Sequence, residues 1–324
     1  MSEAATQATI EALVRDSYGR LVAYLAARSG DIAGAEDALS DALVSALKHW
    51  PRAGVPQKPE AWLLQVARNR TIDAARHRKV QTTTTAFVQQ LSEEAQTVAN
   101  KLDPFPDERL KLLFVCAHPA IDEAARTPLM LQTVLGLDAA RIASAFLVSP
   151  DAMSQRLVRA KTKIRAAGVP FSIPETNEWT ERVEFVLDAI YSAYTTGWDG
   201  INEADTAHRG LTIEAIQLAR TLTQLIPSEP EVHGLLALML HCEARQAART
   251  SLLGDFIPLD QQNTALWSTA LIEEAEKELR IASAFRHMGR YQLEAAIQSI
   301  HAHRAISGEI DWSEIALLYE GLVR

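Results

Sequence analysis

Four residues in one stretch of the chain have the chemistry to read a nucleic-acid duplex: Gln155, Arg156, Arg159 and Lys163, with Ser154 beside them. Arginine and glutamine pair bidentately with base edges, and lysine neutralises phosphate. Residues 152–170 hold five Lys/Arg and no acid. The elements that must position this set are legible around it, in GLDAARIASAFLVSPDAMSQRLVRAKTKIR at 136–165. Asp138 is placed to cap a short helix over 139–146, and a break follows at 147–150. Ser149 then caps a second helix, with Pro150 at its first position and Asp151 near its positive end. Within that helix Met153, Leu157, Ala160 and Ile164 recur at spacings of four, three and four, one buried stripe. An apolar stripe facing away from an acid-free basic surface suits a DNA groove in a helix-turn-helix. The competing reading is a solvated helix of a bundle, where charge signs are mixed.

A second basic helix lies upstream, over 61–79, in AWLLQVARNRTIDAARHRK. Leu63, Val66, Ala67, Ile72 and Ala75 are spaced to face a core. Arg68, Asn69, Arg76, Arg78 and Lys79 remain for a partner, with Trp62 and His77 available to stack on bases, as single-stranded or distorted DNA requires. Alone this signal is weak, because a tryptophan at a helix start is commonly core. The helix before it, over 31–50, supplies the opposite charge. Its apolar positions are Ile32, Ala35, Leu39, Leu43 and Leu47, while Asp37 and Asp41 sit four apart on one face. That face is either an ordinary solvated surface or a protein-docking one. Acid–base catalysis by the pair lacks pocket-forming neighbours, and no catalytic residue is assigned.

Composition sets the frame. Among 324 residues, 48% are hydrophobic and 6% aromatic, as expected of an all-α protein with more than one domain. The net charge of −9 is split: residues 1–170 carry 21 Lys/Arg against 18 Asp/Glu, or +3, and residues 171–324 carry 11 against 23, or −12. The two halves therefore do different work. Cys116 and Cys242 are too few for a disulfide framework and fit a reducing compartment. Cys116 and His118 have no second ligand pair at metal-binding spacing, and His301 and His303, two apart, point apart on a helix, so no metal and no cofactor is expected. A basic-then-apolar leader and a membrane-length apolar run are both missing from the sequence, and a cytoplasmic location without membrane partners is expected.

The expected organisation is a helical block at 1–80, a linker at 81–106 containing the run Thr82–Thr83–Thr84–Thr85, a helix-turn-helix block at 107–170, and a helical extension at 175–324 interrupted at 197–200, Pro227, Gly254, Gly289 and Gly308. In this order the elements resemble the bacterial sigma-70 family, of the small extracytoplasmic-function (ECF) type with regions two and four only. AEDALSDALVSAL is similar to the region-two helix that docks on the polymerase clamp. AWLLQVARNRTIDAARHRK is similar to the helix after the minus-ten recognition loop, and IASAFLVSPDAMSQRLVRAKTKIR to the region-four reader of the minus-thirty-five element. WPRAGVP, LLFVCAHPAI and PEVHGLLALML resemble the subgroup with a C-terminal tetratricopeptide-like extension.

The resemblance implies core RNA polymerase (beta-prime clamp and beta flap) and promoter DNA as partners. Asp37 and Asp41 would meet the clamp. The loop at 54–60 would hold a flipped non-template base, with Lys58 and Trp62 at its rim, and Asn69, Arg76 and Arg78 would hold the strand. Ser154, Gln155, Arg156, Arg159 and Lys163 would meet the upstream duplex. Departures are the short basic end HRKV and Gln262-Asn263, where relatives have Asp-Arg. The extension reads either as a bundle that stabilises region four or as a module for a regulatory protein or ligand. The alternative for the whole chain is a helix-turn-helix regulator with an acidic helical sensor domain, which would not need the first block.

Overall fold

The computed structural model describes residues 3–77, 107–174, 178–198, 206–251 and 255–323. Every regular element among them is a helix, apart from one isolated bridge between Thr250 and Phe256. None of these helices is long and apolar enough to cross a membrane. The chain forms two compact units, 1–189 and 190–324, and the division falls inside one helix.

The first unit contains α1 (Glu3–Ser29), α2 (Ile32–Ala53), α3 (Pro59–His77), α4 (Arg109–Cys116), α5 (Glu123–Thr133), α6 (Ala139–Ala145), α7 (Pro150–Ala167) and the start of α8 (Trp179–Trp198). The first three helices pack on one another through small residues. Along α2 the buried positions are Ile32, Ala35, Ala38, Leu39, Ala42, Ser45, Ala46 and Trp50. Leu47, expected inward, is 46% exposed instead, and Leu43 is only half-buried. Alanines at the contact let α1 and α2 approach closely, and the leucines at the margin are turned out. The closest approach is between α1 and the end of α5, where a Cβ on Gly19 would lie 1.7 Å from the Val134 carbonyl oxygen. Glycine is required there for space. The helix α4 is buried on all sides from Leu112 to Cys116.

The second unit contains the rest of α8 and α9 (Thr206–Leu225), α10 (Pro230–Ala244), α11 (Thr269–Ala284), α12 (Arg290–Ser307) and α13 (Trp312–Val323). Breaks fall near Pro227, Gly289 and Gly308, as expected from the sequence. At the centre is α10, apolar around most of its surface and packed by α9, α11 and α12. Its Glu231 carboxylate accepts from the amides of Tyr291 (2.8 Å) and Gln292 (3.1 Å). That charge satisfies the open N-terminus of α12, whose own N-cap, Gly289, has no side chain to do so. A Cβ on Gly289 would collide with the same carboxylate.

Candidate nucleic-acid interface

The pair of helices α6 and α7 forms because its ends are chemically specified. The Asp138 carboxylate accepts from the Arg141 amide at 2.9 Å and opens α6. Residues 146–149 make the turn, with Leu147 in the left-handed region at φ 52°. The Ser149 hydroxyl then accepts from the Ala152 amide at 3.3 Å and opens α7, with Pro150 as its first residue. Met153, Leu157, Ala160 and Ile164 are buried, the stripe the spacing requires.

Around α7 the expected contact residues divide. Ser154, Gln155, Arg159 and Lys163 are exposed, and Gln155, Arg159 and Lys163 follow one line at four-residue spacing. Arg159 Nε donates to its own helix at the Gln155 carbonyl (3.3 Å), so its guanidinium lies along this line. Arg156 is half-buried and donates to the Ala124 carbonyl on α5 at 3.3 Å. Lys161 and Arg165, which flank the basic face in the sequence, point elsewhere: Lys161 Nζ meets Glu36 Oε2 at 2.5 Å, and an Arg165 guanidinium nitrogen meets Asp31 Oδ2 at 3.1 Å. Burial pushes the Glu36 carboxyl above the usual carboxylate range, and the Lys161 charge opposes that. These two acids, Glu36 on α2 and Asp31 at its N-cap, are the contact residues that sequence reasoning missed. Nothing local in the sequence pairs either of them with α7.

On α2 itself Asp37 and Asp41 are both exposed, and Val44, Leu47 and Lys48 continue the same side of the helix. Val44 and Leu47 are each 46% open to solvent. The surface is therefore acidic at one end and apolar at the other. This combination suits a protein partner better than water.

The loop after α2 departs from expectation at one residue. Lys58 is exposed, whereas Trp62 is wholly buried, edge-on to Trp50 at 5.3 Å between ring centroids and stacked on His49 at 6.1 Å. Trp62 is thus part of the core beneath the loop and not a platform at its rim. The helical pattern explains it: Trp62, Leu63, Val66 and Ala67 form the buried side of α3. Glu60 accepts a hydrogen bond from Ser17 and lies 3.9 Å from an Arg20 nitrogen, which fixes the loop's end to α1. Asn69 is half-buried and accepts from Gln65 Nε2 at 3.2 Å. The side chain of Arg76, all of Arg78, and the linker with its threonine run lie outside the described residues.

Among the described residues no cluster of His, Cys, Asp and Glu could hold a metal ion. Burial pushes the Cys116 thiol up to about 12, and its sulfur lies 3.6 Å from the Thr133 hydroxyl, as befits a packing residue. The His118 ring accepts from the Ala120 amide in a local turn. In the second unit an open groove of about 900 Å³ is lined by Ile272, Glu276, Ile306, Glu309, Trp312 and Glu314, among others.

Comparison with known proteins adds to this geometry. Sigma-70 region 2 matches residues 13–80, which cover most of α1 and all of α2 and α3. This region supports membership of the sigma-70 family. A sigma-70 region 2 implies binding to core RNA polymerase and promoter DNA in general, and suggests a sigma-factor role in transcription initiation. Residues 182–283 match a family of unknown function, DUF6596. An uncharacterized protein of Rhizobium meliloti (strain 1021) is 40% identical over 294 residues, covering 90% of this chain and 70% of that protein. No solved structure matches.

Proposed function

We propose that the chain is an ECF-type sigma factor acting in the cytoplasm, in which α2 docks on the beta-prime clamp and α7 reads the minus-thirty-five element from the beta flap. The observation that carries this is the α7 surface. A helix capped by Ser149 and anchored by four buried residues presents Gln155, Arg159 and Lys163 to solvent with no acid among them. Arg156 at the edge supplies a fourth contact, and Ser154 a phosphate hydrogen bond. In the first block Lys58 and Asn69, with Arg76 and Arg78, would hold the minus-ten strand, and Asp37 and Asp41 would meet basic residues on the clamp. The chain supplies binding energy that opens promoter DNA, and catalysis stays with the polymerase.

The helical extension acts as a tetratricopeptide-like module that regulates or assists initiation. Its groove offers both apolar and acidic surface to a regulatory protein or ligand.

The test is reconstitution with core RNA polymerase on a library of promoter fragments. Selective initiation from fragments sharing an upstream and a downstream element is expected, with loss on Arg156→Ala/Arg159→Ala. Tight binding of a palindrome without core, together with no binding to core, refutes the proposal and favours a helix-turn-helix regulator with a sensor domain.

A further inference from the structure

Among the described residues of the second unit, four buried ring nitrogens have no hydrogen-bond partner: His241 Nδ1 and Nε2, Trp267 Nε1 and His301 Nδ1. All three residues line one small cavity. His241 is 3% exposed and Trp267 8%. Their elements are distant in sequence. His241 lies on α10 with Arg245 at its C-cap, Gln298 and His301 lie on α12, and Trp267 stands just before α11. The loop that ends in Trp267 is held to α12 by Arg304. Its guanidinium donates to the carbonyls of Asp260 (2.5 Å), Leu259 (2.9 Å) and Gln262 (3.0 Å), and lies 5.2 Å from the Trp267 ring centroid. The enclosed cavity measures about 10 Å³, room for one water-sized group.

The lining selects what that group can be. The Trp267 indole and the Arg245 guanidinium only donate. Arg245 is fixed beside the cavity by its hydrogen bond to Gln298 Oε1 at 2.9 Å, a bond that leaves its charge in place. Burial lowers both imidazoles, His241 to about 4, so each is neutral at pH 7 and offers one N–H. Arg245 adds to both depressions and Arg304 to that of His301, while Glu276 opposes at His241. The Glu276 carboxylate is 3.4 Å from His241 Nε2, outside hydrogen-bond geometry, and accepts from the Ser299 hydroxyl at 2.5 Å. Two cations therefore act on these rings against one carboxylate. A bound cation would meet the Arg245 charge and N–H groups, and an apolar group would leave all four nitrogens unpaired. An acceptor carrying negative charge meets donors from α10, α12 and the loop.

We infer that this cavity binds a small anion through one water-sized acceptor, a carboxylate oxygen or a halide ion, with Trp267, His301 and His241 as donors beside Arg245. Bound there, the anion joins α10 and α12 through the loop that carries Trp267, and the stability of the extension depends on its concentration. The inference concerns the second unit alone and does not rest on the sigma-factor reading, so failure to bind core polymerase leaves it standing.

Titration of the full chain with sodium formate, and separately with sodium chloride, tests it. Ionic strength is held constant with methanesulfonate, which is too bulky for the cavity. The indole N–H resonance of Trp267, assigned by its loss in Trp267→Phe, should shift and saturate. At saturation the wild type should gain about 3 °C or more in melting temperature. Trp267→Phe and His301→Phe each keep a ring and remove a donor, and each should lose most of that gain; two variants guard against misfolding of either, and circular dichroism checks helicity. Saturation by formate, by chloride or by both supports the site and tells which anion it takes. Shifts that do not saturate, or melting gains equal in the wild type and both variants, mean a general salt effect with water alone in the cavity and overturn the inference.

Discussion

The α2 surface permits a prediction in which two kinds of force separate. Val44 and Leu47 are each 46% exposed on the side of α2 that carries Asp37 and Asp41. Fully burying such a side chain stabilises by about 1.5–3 kcal/mol, so docking that covers the open half of each adds about 1 kcal/mol per residue. Val44→Ala/Leu47→Ala should then cost up to about 2 kcal/mol, a rise of roughly thirtyfold in Kd for core polymerase. Exposed acid–base pairs contribute about 0.2–1 kcal/mol each and act on the association rate. Asp37→Lys/Asp41→Lys, which adds repulsion, should slow association most at low salt and progressively less as salt shortens the screening length to a few ångström. The loss from the alanine pair should persist at high salt. Titration of labelled core with each variant at two salt concentrations separates the effects, with thermal melts to verify folding. If both double variants bind core as the wild type does, α2 is not the docking surface.

Other outcomes follow from the packing. Ser149→Ala removes the α7 cap and should cost about 1 kcal/mol, read as a melting-temperature drop of roughly 2–4 °C for a unit of this size, with weaker duplex binding. Gly19→Ala forces a Cβ against the Val134 carbonyl oxygen and should cost about 3 kcal/mol or more, whereas Gly210→Ala in α9, where a Cβ meets nothing within 4 Å, should stabilise by up to about 1 kcal/mol; calorimetry distinguishes them. His241, buried in α10, is held down to about 4 by burial, which outweighs the Glu276 carboxylate 3.4 Å away, with Arg245 adding to the depression. A histidine depressed from 6.5 stabilises the fold by about 3 kcal/mol above pH 6.5, and that stability is lost as pH falls from 6.5 toward 4. Denaturant unfolding of His241→Leu should lack this part of the acid slope; an identical slope in the variant would refute the assignment.

How far the sequence carried the fold depends on the kind of information each feature uses. The caps at Asp138 and Ser149 and the stripe Met153, Leu157, Ala160, Ile164 are local, and all appear in the structure. The period was misread in α2. Taking Ala35, Leu39, Leu43 and Leu47 as one face uses three successive four-residue steps, each of which turns the line by about 40°. By Leu47 the line has left the core, and Ala38, Ala42, Ala46 and Trp50 occupy it. Trp62 was misjudged for a different reason. Its neighbours gave an amphipathic pattern with the tryptophan at the boundary, and only the positions of Trp50 and His49 decide which side it joins.

Charge is the feature whose use is least local. In sequence, residues 152–170 offer five cations to DNA. Counterion release makes that a number: log K falls with log salt at a slope of about −0.9 per neutralised phosphate, so five contacts imply about −4.5. The structure turns Lys161 and Arg165 to the far side of α7 and gives them Glu36 and Asp31. Arg156, Arg159 and Lys163 remain, and three contacts imply about −2.7. Because Lys161 and Arg165 stay on the far side of the helix whether or not these ion pairs are made, Glu36→Gln should leave this slope where it is. Fluorescence anisotropy of the full chain on a duplex bearing the upstream element alone, over a salt series, reads it directly. A slope near −4.5 in the wild type, or one that steepens by a contact in Glu36→Gln, would mean that cations on the far side reach phosphate and that the facing assigned to α7 is wrong.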